Sequence, residues 1–219
     1  MPINTAQLTT FLRGLKANNT KLWFDAHRTE YDALRKQFED DVQRLILLIG
    51  KFDPAVKHQV AKQAMYRINR DIRFSKNKNP YKTNFGAGIG PGGKKGELPG
   101  YHVHLDYDGT MMVAGGLYMA SPEQIDRIRT SIARSPKKIL SILAAPSFKK
   151  TFGSLDQDDA LKRPPRGFAP DHPAIELLKL KHFAAWVEVK PKAGDWVPQA
   201  AARAKVLFPL IEYVRQASA

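Results

Sequence analysis

The chain has 219 residues, no cysteine, and a formal net charge of +14 from 35 lysines and arginines against 21 acids. The missing cysteine excludes disulfides, thiolate nucleophiles and zinc–thiolate sites, and no uninterrupted apolar run is long enough to cross a bilayer. The charge predicts attraction to polyanions and phosphate-bearing ligands and says nothing about fold.

In chain order, the N-terminal stretch lacks the basic start and apolar run of a signal peptide, so the cytoplasm is the expected location. The sequence then places Leu8, Phe11, Leu12 and Leu15 on one face of a helix over Thr5–Lys16. Asn18-Asn19-Thr20 ends that helix and caps the next. A long helix is predicted over 21–49, because Leu34, Phe38, Val42, Leu45 and Ile49 form a core stripe. Trp23 and Phe24 are expected in the core, and Gly50 and Pro54 stop the helix. The polar stretch 57–64 gives no clear element, and the basic stretch 65–82 follows. Asn84–Gly90 (NFGAGIG) reads as a strand running into a loop over 91–99 that could serve as a lid. Its glycines match neither of the two common nucleotide-binding motifs.

Tyr101–Tyr107, Asp108-Gly109 and Thr110–Tyr118 read as a β-hairpin with an Asp-Gly turn. Gly115-Gly116 marks a bulge or a close backbone approach. Ser121-Pro122-Glu123-Gln124 starts a helix with a capping box, and Ser135-Pro136 starts another. Residues 148–153 form a turn or short helix. A polar connection over 156–170 carries Lys162, Arg163 and Arg166. Either Asp171 or His172 caps a helix to about residue 179. Residues 182–190 alternate as a strand, and Asp195 opens a final helix that Pro209 should kink or split. These elements give one α+β domain over 1–219. It is a mainly antiparallel sheet of four or five strands, packed with helices from the N-terminal and C-terminal ends.

The stretch 65–82, MYRINRDIRFSKNKNPYK, holds Arg67, Arg70, Arg73, Lys76, Lys78 and Lys82 against the single acid Asp71. Interleaved aromatic and β-branched residues separate it from a disordered basic tail. Read as a strand over 65–74, it puts Arg70 in an apolar row with Tyr66, Ile68, Ile72 and Phe74. A buried guanidinium needs an acidic partner or a bound anion. The candidate ligand-binding residues are therefore Arg67, Arg70, Arg73, Lys78, Tyr81 and Lys82, and Ser75 reads as a turn residue. The alternative is structural, with these arginines paired to Glu39, Asp40 and Asp41 of the long helix. In the hairpin, His102, His104 and Asp106 share one face; this H-x-H-x-D pattern suits a metal or a general base but equally a solvated sheet face. Asp71 and His104 are the candidate bases, and no metal site is assigned.

Certain residues carry a resemblance over nearly the whole chain. They are Asn18-Asn19 with Trp23-Phe24, the run from Arg67 through Arg70-Asp71, Arg73-Phe74-Ser75-Lys76, Lys78 and Pro80-Tyr81-Lys82, then Gly115-Gly116-Leu117-Tyr118. Lys162-Arg163-Pro164 with Gly167-Phe168, and Asp171-His172-Pro173, also match. The chain resembles a microbial family of conserved hypothetical proteins, a domain of unknown function. The resemblance implies one α+β domain and no mechanism. His102 departs from it, since the family has tyrosine there, which weakens a metal pair with His104.

Three functions follow from these readings. The first is binding, or catalysis, of a small phosphorylated or carboxylated ligand. The second is non-sequence-specific nucleic-acid binding, although the basic surplus is spread along the chain and no helix-turn-helix, zinc-finger or RNP-type signature is present. The third is a structural or partner-binding module. No cofactor, partner or oligomeric state is read from the sequence, and no membrane association is expected.

Overall fold

Alternating apolar residues in four segments build an antiparallel sheet with one core face. The computed structural model describes residues 2–192 and 194–219. Its strands are β1 (Asn84–Ile89), β2 (Gly100–Asp106), β3 (Met111–Leu117) and β4 (Phe183–Val189), in spatial order β1-β2-β3-β4. The register aligns Ala87, Val103, Val113 and Val187 across all four strands. On that face Phe85, Ala87, Ile89, Tyr101, Val103, Leu105, Met111 and Val113 are buried.

Helices from both ends of the chain cover this face. They include α1 (Thr5–Ala17), α2 (Lys21–Ala26), α3 (Arg28–Ile49) and α4 (Ala61–Ala64) ahead of the sheet. Next come α5 (Pro122–Arg134), α6 (Pro136–Ala144), α7 (Pro146–Phe152), α8 (Ile175–Leu178) and α9 (Trp196–Ser218). The molecule is thus α+β, with helices flanking an antiparallel sheet. The stripe predicted on α3 is buried, and Phe38 within it meets Phe85 of β1 at 5.6 Å and Trp196 of α9 at 5.9 Å. Each such ring contributes about 1.5–3 kcal/mol by leaving water. Helix α9 lies so close to β3 that a Cβ on Gly115 would come within 2.8 Å of Ile211 Cδ1. Among the described residues no helix is long and apolar enough to cross a membrane.

Four expectations change. The long helix over 21–49 breaks at His27, whose Nδ1 donates to the Trp23 carbonyl at 2.8 Å while its ring stacks on Trp23 at 3.8 Å. Met65–Phe74 is not a strand: it makes two isolated bridges, Met65 with Ala87 and Asn69 with Tyr81. The chain folds back on itself instead, with Arg70 N–H donating to the Pro80 carbonyl and Lys82 N–H to the Ile68 carbonyl, both at 2.8 Å. Pro80 has no N–H to give back to this pairing, so the ladder stops there, and the Asn19 side chain takes both backbone groups of Tyr81 on the opposite edge.

The helix expected after Asp171-His172-Pro173 shrinks to one turn. Neither Asp171 nor His172 caps it: the N-cap is Ala174, without a side-chain cap bond, while His172 Nδ1 accepts from Ala174 N–H at 3.1 Å and Nε2 donates to the Ala133 carbonyl at 3.2 Å. Pro209 does not split α9; it is exposed, so its missing N–H falls on the solvent side.

Candidate functional site

The basic stretch divides into an arm and a base. On the arm, over residues 70–80, the polar groups bond mainly to one another. Arg70 donates to the Asn79 carbonyl at 3.1 Å and to Ser75 Oγ at 3.2 Å. Arg73 grips Asp71 with two bonds of 3.0 and 2.7 Å, and Lys78 donates to the Ile72 carbonyl at 3.1 Å. The pair holds the Asp71 carboxyl below the ordinary range, chiefly through the hydrogen bond from Arg73. Pairing with Glu39, Asp40 or Asp41 is not seen for these arginines: Asp40 bonds Lys36, and Asp41 bonds Arg44 and Trp196. Tyr81 is buried and stacks on Phe24 at 4.2 Å.

Arg67 and Lys82 stand at the base of the arm, beside the sheet. Lys82 lies 5.1 Å from the ring centre of Tyr66. Tyr66 is fixed through its backbone, donating to the Gly86 carbonyl at 2.9 Å and accepting from Arg35 at 3.4 Å. Its ring crosses β1 where two glycines leave room. A Cβ on Gly88 would come within 2.6 Å of Tyr66 Oη and 3.3 Å of Lys94 Cα. Lys94 in turn donates to the Met65 carbonyl. Across the sheet from Gly88 is His102, its ring 5.7 Å from Tyr66 and its Nε2 3.1 Å from His104 Nδ1.

At the Lys82 end of this cluster the charges that act on the lysine are positive. Burial first, then the charges of Arg67 and Lys94, lower the Lys82 pKa. His102 falls to about 4 through burial, then His104 and Lys82, so it is neutral at pH 7. Burial lowers His104 and raises Tyr66, while the acids acting on His104 are Asp106, Glu188 and Asp108 at the far end of the face. Among the described residues no group of three or more histidines and acids is placed to hold a metal ion. Lys94 also lines a cavity of about 640 Å³, with His58, Gln59, Lys62 and Gln63 around it.

Arg67 and Lys82 are therefore brought together, while Arg70, Arg73 and Lys78 are bonded within the arm and Tyr81 is in the core. Of the two candidate bases, Asp71 is held by Arg73 and His104 belongs to the cluster. The sheet face carrying His102 is not simply solvated, because Tyr66 overhangs it. Sequence reasoning does not single out Tyr66 and Lys94 as binding residues, and it reaches His102 only through the H-x-H-x-D pattern. The available signal was the alternate glycines of β1, which mark a place where another group passes close to the backbone.

The chain belongs to a family of conserved hypothetical proteins (DUF2461), whose family model matches residues 7–213. No curated protein and no solved structure matches it.

Proposed function

We propose that this member of the conserved hypothetical family binds a small phosphate- or carboxylate-bearing ligand at Lys82 and Arg67. The observation that carries the reading is Lys82. It is half-buried, and every charge that shifts it is positive. A partly desolvated ammonium among cations is costly unless an anion visits it. Arg67 supplies a planar, bidentate donor and Lys82 a point charge. The cavity beyond Lys94 has the size of a small-molecule site and offers Lys62 and Gln63 to the rest of the ligand. A bound anion also favours protonation of His102, so binding tightens as the pH falls toward that histidine's pKa.

Thermal denaturation with pyrophosphate, sugar phosphates and dicarboxylates tests the reading. A ligand at a hundred times its dissociation constant adds about 2.7 kcal/mol. The gain should vanish in Lys82→Ala and Arg67→Ala and survive in Arg73→Ala. No gain with any anion, or a gain that survives both base substitutions, overturns it.

A further inference from the structure

Phe74 stands at the tip of the arm with 95 % of its surface exposed. A large apolar side chain left in water by a segment without regular structure invites a simple explanation, a loop with no fixed shape. The bonding of the arm argues otherwise. Arg70 ties Asn79 to Ser75, Lys78 ties back to Ile72, Asp71 clamps Arg73, and Asn77 accepts from Asn79 N–H at 2.9 Å. The arm is braced from inside, and the bracing leaves the ring outside. The Arg73 guanidinium lies 5.8 Å from the ring centre, and Lys76 and Lys78 follow within four residues, all exposed.

We propose that the arm is a contact for single-stranded nucleic acid, with a base stacked on Phe74 and backbone phosphates on Lys76 and Arg67. An aromatic ring set among cations is the pattern that binds single strands without reading sequence, because every base has a face to stack. The occupant follows from charge. The stretch 67–82 holds six cations and one acid, on a chain of net charge +14. A second copy of the same chain would bring like charges to the ring, whereas a nucleic acid strand brings one negative charge per nucleotide and a flat apolar partner. Arg67 lies at the junction, since its charge reaches both Asp71 on the arm and Lys82 at the base. The inference shares Arg67 with the small-ligand reading, but Phe74 and Lys76 belong to it alone and take no part in the cluster around Lys82.

The test is fluorescence anisotropy with a short labelled oligothymidylate at several salt concentrations. Phe74→Ala should weaken binding about tenfold or more and leave the melting temperature unchanged, since the ring buries nothing. Lys76→Ala should lower the salt slope by about 0.7, the value for one phosphate contact on a single strand. Phe74→Trp should keep affinity, with its emission quenched by the oligonucleotide. Equal affinity of Phe74→Ala and the parent chain overturns the proposal. So does concentration-dependent self-association that Phe74→Ala abolishes. The pyrophosphate response should persist in Phe74→Ala, so failure here is separable from failure of the small-ligand site.

Discussion

At the scale of single residues, the proton on His102 ties stability to pH. Its folded pKa lies near 4, below the ordinary 6.5, with burial as the first cause. Between those values the unfolded chain binds a proton that the folded chain refuses. The stabilisation from keeping the ring neutral is therefore fully present above about pH 6.5 and is lost as the pH falls toward 4. At full effect it is about 3 kcal/mol, and less in proportion to the water that still reaches the half-buried ring. His104 shifts in the same direction and adds to the slope. Urea midpoints measured from pH 7 to 4.5 should fall steadily, and His102→Gln should flatten that fall, leaving the smaller share due to His104. An unchanged slope in His102→Gln would mean that the acid sensitivity arises elsewhere. Little of this was legible in sequence. Alternation put His102 and His104 on one face, as observed, but periodicity reports only which face a residue takes. The tyrosine and lysines that cover this face come from other segments of the chain, through contacts that no local pattern encodes.

At the scale of elements, the glycines separate two costs that a sequence lists alike. Gly116 of β3 has φ +128°, and a Cβ there would come within 2.1 Å of the Phe183 carbonyl oxygen on β4. Gly153, after α7, has φ +74° and nothing within 4 Å of its Cβ position. Gly116→Ala should therefore cost about 3 kcal/mol or more, through both strain and a backbone clash between β3 and β4. Gly153→Ala should cost about 1–2 kcal/mol, from backbone strain alone, since φ +74° with ψ −71° is a turn conformation that L residues rarely adopt. Chemical denaturation of the two variants checks the ordering, and equal losses would show that the strand contact relaxes freely. The hairpin and its close glycine contact were readable because the Asp-Gly turn, the alternation and the paired glycines agree. The arm was not. Its residues have strand propensity, but the Asn19 amide occupies the backbone of Tyr81 from a turn far upstream, and the arm bonds to itself. Propensity lost to Pro80, which has no N–H for a ladder, and to the bonds within the arm.

At the scale of the whole molecule, α9 crosses the sheet and is fastened near each end to the segment formed by α3 and the turn after it. Near its start, the buried Asp41 accepts from Trp196 Nε1 at 2.8 Å and from Ile3 N–H at 3.0 Å, and Arg44 bridges Asp41 to Asp195. Near its end, Arg215 donates to Asp53 at 2.9 Å, where Asp53 is 1 % exposed and also accepts from the Tyr101 hydroxyl at 3.0 Å. The α+β class was legible because stripes and alternation are local, whereas these fastenings join residues with no neighbourhood in sequence. The two ends differ in what a lost carboxylate leaves behind. Without Asp41, Arg44 keeps Asp195. Without Asp53, Arg215 keeps only the Pro99 carbonyl, and its Nη2 is already buried without a partner. Breaking a buried pair by removing one partner typically costs about 3–5 kcal/mol, mostly through the stranded charge. Asp53→Asn should fall in that range, and Arg215→Met in the same background should recover part of the loss, because the uncompensated charge goes with it. Asp41→Asn should cost less, since the asparagine oxygen still accepts from Trp196. A double-mutant cycle on Asp53 and Arg215, read by urea denaturation, decides it: additive losses would mean that this end of α9 is held by its apolar face alone.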